Sequence, residues 1–237
     1  MKIVVLTLAF AAVSLAAAAQ SQPVALAKVA QSTPVATSAP APDAYISMML
    51  ATIAEQDAAK NTAECQAVLA KLERAAAAAP TAWEPRYYQA RGYMQMGFNT
   101  NGHDVQDKLF DQAQVALDQA RKLPQANQTE IYLLQAYIYQ GRIMVAPMSR
   151  GMVYSGRVAE ALGAAKALAP DNPRLYLLLG NNLYYTPEMF GGGVDKAHPM
   201  YVKAKALFAT FKPATPLSPT WGEYMTDSRL TEANHAN

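Results

Sequence analysis

Three tyrosines, Tyr88, Tyr132 and Tyr176, stand 44 residues apart, and four residues beyond them Gly92, Ala136 and Gly180 keep the same register. A large side chain and a small one at a fixed period mark a recurring structural unit, because paired helices need a small residue where their backbones approach. Alanine-rich runs close in proline at Pro80, Pro124, Pro170 and Pro213, with spacings of 44, 46 and 43. Proline cannot continue a helix, so each run ends there. Alanine favours helix and is poor in strands. The expectation is an all-α fold, a right-handed α-solenoid of about four helix hairpins occupying 43–213.

Start signals agree with this phasing. Asn61 followed by Glu64, and Asn127 followed by Glu130, are capping pairs in which the Asn accepts a first-turn N–H and the Glu reaches back to another. Asn172 before Pro173 supplies a cap and then the residue whose missing donor costs nothing in a first turn. The predicted pairs are 43–58 with 62–79, 83–97 with 106–123, 128–142 with 155–169, and 173–186 with 194–211.

The pattern resembles the tetratricopeptide repeats, through Tyr88, Gly92 and Pro124, then Tyr132, Ala136, Tyr139 and Pro170, then Tyr176, Leu179, Gly180 and Pro213. That family repeats at about 34 residues, whereas this chain repeats at 44. The surplus is expected as loops inside the hairpins, at 97–106, 141–155 and 186–194. The strings RIMVAPMSRG and YYTPEMFGGG also resemble exported bacterial proteins of tetratricopeptide type. The resemblance implies a concave face lined by Arg86, Glu130 and Arg174 near the starts of the first helices. Tyr93, Tyr137 and Asn181 follow at mid-helix, with Met96, Gln140 and Tyr184 towards the ends. Such a face would suit a protein or peptide partner, while Tyr88, Tyr132 and Tyr176 are expected in the core.

The flanks read differently. Lys2, the apolar run from Ile3 and the small residues Ala17, Ala18 and Ala19 have the order of a secretory signal, so 1–19 is expected to be removed on export to the periplasm or beyond. No cysteine stands nearby to accept a lipid anchor, and the mature chain is expected to hold no stable membrane span. Pro23, Pro34, Pro40 and Pro42 make 20–42 a spacer. The tail 214–237, with Pro216, Pro219 and Trp221, is expected to cap the exposed apolar end of the last hairpin.

Chemistry is sparse. Twenty Lys and Arg against 18 Asp and Glu, a net +2, give no footprint for nucleic acid. The single cysteine, Cys65, lies among apolar neighbours at helical spacing and reads as a buried thiol. His103, His198 and His235 share no metal-ligand spacing, and no H-E-x-x-H, C-x-x-C or G-x-S-x-G occurs. No metal, cofactor or catalytic residue is expected. Phe190 with Gly191, Gly192 and Gly193, ahead of Lys196, could expose backbone N–H groups to an anion or could serve close helix crossing. Arg142 and Arg150, interleaved with Met144, Met148 and Met152, could grip a partner or pack on their own ridge. If the loops leave one edge of the stack, they form a shared rim. The expected function is a non-catalytic, exported scaffold that binds a protein or peptide by its concave face or rim. The alternatives are a solute-binding accessory module of an envelope transporter, and an enzyme.

Overall fold

The computed structural model describes residues 42–235, so the expected signal at 1–19 and nearly all of the spacer lie outside the described residues. Among those described there are nine α-helices and no strand: α1 (Pro42–Ala58), α2 (Thr62–Ala78), α3 (Glu84–Phe98), α4 (His103–Arg121), α5 (Gln128–Val145), α6 (Pro147–Leu168), α7 (Pro173–Tyr185), α8 (Val194–Phe208) and α9 (Glu223–His235). A single 3-10 turn, Glu188–Phe190, separates α7 from α8.

The caps form much as their residues dictate. The Asn61 carboxamide accepts from the Glu64 N–H at 3.0 Å, and Glu64 accepts from the Lys60 N–H at 2.7 Å. Asn127 accepts from the Glu130 N–H at 3.3 Å. The Glu130 carboxylate departs from the expected capping box, because it turns inward to Arg174 instead of reaching back. Asn172 accepts from the Arg174 N–H at 3.0 Å, with Pro173 in the first turn.

Consecutive helices pair as α1 with α2, α3 with α4, α5 with α6 and α7 with α8, and the first members of successive pairs, α1, α3, α5 and α7, also touch in order. Glu130 and Arg174, each in the first turn of its helix, are bonded, so α5 and α7 start beside one another. One expected insertion is absent as a loop. Residues 141–155 are helical except at Ala146, because Pro147 sits in the first turn of α6, where its missing donor is harmless. The extra residues of that repeat lengthen two helices, and only the turn between them remains.

The core runs the length of the stack, with Leu72, Phe110, Leu117, Ile131, Leu133, Leu134, Leu175 and Tyr201 in it. Gly180 marks a crossing where an added Cβ would stand 2.4 Å from the Tyr201 ring. Tyr88 and Tyr176 are buried, whereas Tyr132 is only half-buried beneath the Arg121 guanidinium, 5.9 Å from its ring centre.

After α8 the chain turns back. Residues 211–222 touch α7, then α3, then α5: Arg174 lies over the Phe211 ring at 4.8 Å, the Tyr88 hydroxyl donates to the Leu217 carbonyl at 3.1 Å, and Trp221 stacks on Tyr137 at 5.7 Å. Gly222 permits the return, since its φ of 114° is left-handed backbone and a side chain there would press on Phe208, Leu177 and Arg174. The tail was expected to cover only the last hairpin. It reaches α3 because Leu217 and Trp221 find apolar cover there. Helix α9 then packs on α8, where Lys205 pairs with Asp227 at 2.7 Å.

Candidate functional site

The residues expected to line an open concave face are engaged within the chain. Arg174 is fully buried and holds Glu130 through two hydrogen bonds, of 2.6 and 3.0 Å, while Asn172 donates to the same carboxylate at 2.8 Å. Taking one charge out of water is costly, and this pair satisfies it with opposite charge and a second donor. Tyr137 is enclosed between Phe98 and Trp221, and desolvation raises its phenol well above the ordinary range. Asn181 accepts from the Tyr201 hydroxyl at 3.1 Å, and Gln140 donates to the Leu178 carbonyl at 2.8 Å.

The remaining four face elsewhere. Met96 is buried with Cys65, Leu69 and Leu109, and Tyr93 packs against that cluster. Arg86 forks onto Glu73 at 2.6 and 3.2 Å, a contact whose hydrogen bonds hold the Glu73 carboxyl below its usual range. Tyr184 packs edge-on against Tyr185 beneath Arg229. The tail therefore covers part of that face, at Tyr137 and Arg174, while Arg86, Tyr93, Gln140 and Tyr184 stay half-buried and are bonded or packed within the chain.

The residues expected at the rim are exposed only in part: Phe190, Gly191 and Lys196 are open, Arg142, Arg150 and Gly193 are half-buried, and Gly192 is buried. At the α7–α8 turn the three glycine N–H groups are all spent inside the loop: Gly191 donates to Glu188, Gly192 to Pro187 and Gly193 to Leu183. Lys196 caps the Gly191 carbonyl at 3.2 Å. The loop is thus closed on itself rather than poised to cradle an anion, and Gly192 is obligatory because a Cβ there would fall 2.0 Å from the Thr186 carbonyl oxygen. What the closed loop projects is Met189, 83% exposed, and Phe190, 74% exposed, next to the exposed Tyr185 ring. Arg229 lies 5.2 Å from the centre of Tyr185.

At the α5–α6 turn the two arginines are held by acids rather than left free. Arg150 forks onto Asp107 at 2.6 and 2.7 Å, and these bonds depress the Asp107 carboxyl. Arg142 pairs with Asp111 at 2.8 Å. The methionines interleaved with them point to solvent, Met148 at 97% and Met152 at 94%.

Elsewhere, Cys65 is buried and desolvation raises its thiol above the usual range. A depression of about 440 Å³ lies between α1 and α2, lined by Met48, Thr52, Glu55, Lys71 and Arg74, with Lys71 bonded to Glu55. Among the described residues no three His, Cys, Asp or Glu gather as a metal site, and no helix is long and apolar enough to cross a membrane. Met189 and Tyr185 were not singled out in the sequence. Their signal was local, an apolar string beside Pro187 and three glycines, which no core could absorb.

The fold is similar to that of the HusA haemophore from Porphyromonas gingivalis, with a TM-score of 0.72 and 29% identity over 81% of this chain and 94% of that one. The sequence matches no family profile and no curated protein.

Proposed function

We propose that this chain is an exported, non-catalytic binding protein, built of tetratricopeptide-like hairpins, whose ligand is haem. The observation that carries the reading is the likeness to a haemophore, which extends over nearly the whole of that protein's length. The α7–α8 turn supplies a surface of the right chemistry. Haem is a flat, largely apolar macrocycle, and Phe190, Met189 and Tyr185 offer adaptable apolar and aromatic area beside the exposed cation Lys196, which suits its carboxylates, with Arg229 nearby but paired to Glu232. Signal-like residues 1–19 support export. The solute-binding alternative is thereby favoured over peptide capture, since the tail covers part of the face a peptide would use, at Tyr137 and Arg174.

Titration of the purified chain with haemin, followed by visible absorption, tests this reading. A saturable spectral change is expected, weakened at least tenfold by Met189→Ser with Phe190→Ser; the absence of any saturable change would exclude haem as the ligand. Both side chains are exposed, so the double variant leaves the core intact.

A further inference from the structure

We propose that the tip of the α5–α6 hairpin is a thioether site for a soft monovalent d10 cation, Cu(I) or Ag(I). Met144, Met148 and Met152 recur at four-residue intervals across the tip. Ala146 alone joins the two helices, its N–H returning to the Ile143 carbonyl at 3.1 Å. Arg150 reaches back to the Arg142 carbonyl at 3.4 Å and ties the two helices together across the turn, and Met144 and Met148 each stand two residues from Ala146 within that tie. Met152 lies one turn beyond Met148 on the same face of α6, a spacing that sets side chains about 5–6 Å apart at Cβ. Met148 and Met152 are almost wholly exposed and Met144 is 45% exposed. Three flexible thioethers therefore lie within nine residues about one turn, on surface that no described helix covers.

The charged groups around the tip narrow the choice of ion. Asp107 and Asp111 are the nearby carboxylates, and each is held by an arginine, Arg150 and Arg142. Hard divalent ions need oxygen ligands, which are committed here, whereas thioether sulfur selects Cu(I) and its analogues. His103, whose charge is felt by Asp107, is the neighbouring imidazole. A thioether has no proton to lose, so a methionine site binds without releasing protons, unlike one built on imidazole or thiol. The inference stands apart from the haem reading, because it uses a different turn and a different ligand.

The test uses the full, haem-free chain carrying Cys65→Ala, which removes the only thiol. Silver(I) is titrated in chloride-free buffer while the methionine methyl groups are followed by NMR. The expected result is shifts at Met144, Met148 and Met152 with Met49, in the core, unmoved. Affinity should be equal at about pH 5 and about pH 7, on either side of the histidine range, and should fall at least tenfold in Met148→Leu with Met152→Leu. No shift at these methyls, undiminished affinity in the leucine variant, or affinity that collapses on acidification would each overturn the assignment.

Discussion

The indole N–H of Trp221 donates to the Tyr87 hydroxyl at 2.9 Å, joining the tail to the second hairpin across 134 positions of chain. Tyr87 is fully buried, and its ring meets Trp83 and Tyr88 edge-on at 5.3 and 5.5 Å. Removing the indole empties the space between Tyr137 and Tyr87. Trp221→Ala should lower unfolding free energy by about 3–5 kcal/mol, the usual cost of a large aromatic cavity, measured by urea denaturation. Tyr87→Phe should cost about 1–3 kcal/mol, since it leaves only the buried indole donor unpaired. Equal losses in the two variants would show that the ring contributes nothing beyond its hydrogen bond.

The Glu130 and Arg174 pair should behave as a unit. Glu130→Gln leaves a buried guanidinium uncompensated, and about 3–5 kcal/mol should be lost. Replacing both residues with methionine should cost much less than the two single changes together. A double-mutant cycle in urea measures the coupling; additive losses would mean that the two charges do not depend on each other.

Two glycines in helices should respond oppositely to alanine. At Gly180 the new methyl would meet the Tyr201 ring, so overpacking of about 1–3 kcal/mol is expected. Nothing lies within 4 Å of the corresponding point at Gly163 in α6, and Gly163→Ala should stabilise by about 0.5–1 kcal/mol. Thermal unfolding compares the pair directly.

Desolvation holds the Cys65 thiol protonated. The native protein should resist alkylation at neutral pH and react readily once unfolded by guanidinium, because the thiolate is the nucleophile. The folded-state value is raised, so this group favours the fold below the ordinary thiol range and ceases to do so as pH rises through it. Fast native labelling would contradict the burial.

Asp107 should act in the opposite sense. Its folded-state value is lowered by the hydrogen bonds from Arg150, so its contribution is present above the ordinary aspartate range and is lost as pH falls below it. The urea midpoint should drop on acidification, and Asp107→Asn should flatten that drop while lowering stability near neutral pH. An unchanged acid profile in the variant would dissociate the contact from acid sensitivity.

The helices were legible where chemistry is local. Asn61, Asn127 and Asn172 cap helices where the residues around them call for it, and the period of 44 gave the pairing. The start of α6 was misread because Pro147 serves a first turn as well as it serves a loop. At the rim, Phe190 was legible as a loop residue, but the fate of three glycine N–H groups depends on carbonyls contributed by Leu183, Pro187 and Glu188. The cover over Tyr88 and Tyr137 was not legible for a different reason. Repeat register assigns a residue to a helix face, and nothing in a period reports that a segment 129 residues away, at Leu217, will cover Tyr88.

Modular arrays ordinarily tolerate gain or loss of copies, because each module touches only its neighbours. The returning tail removes that freedom. A segment that leaves the last hairpin must still arrive at Tyr87, so an inserted copy would leave Trp221 short of its seat and a deleted one would leave it overshooting. The segment after α8 acts as a ruler that ties the number of hairpins to the reach of Trp221.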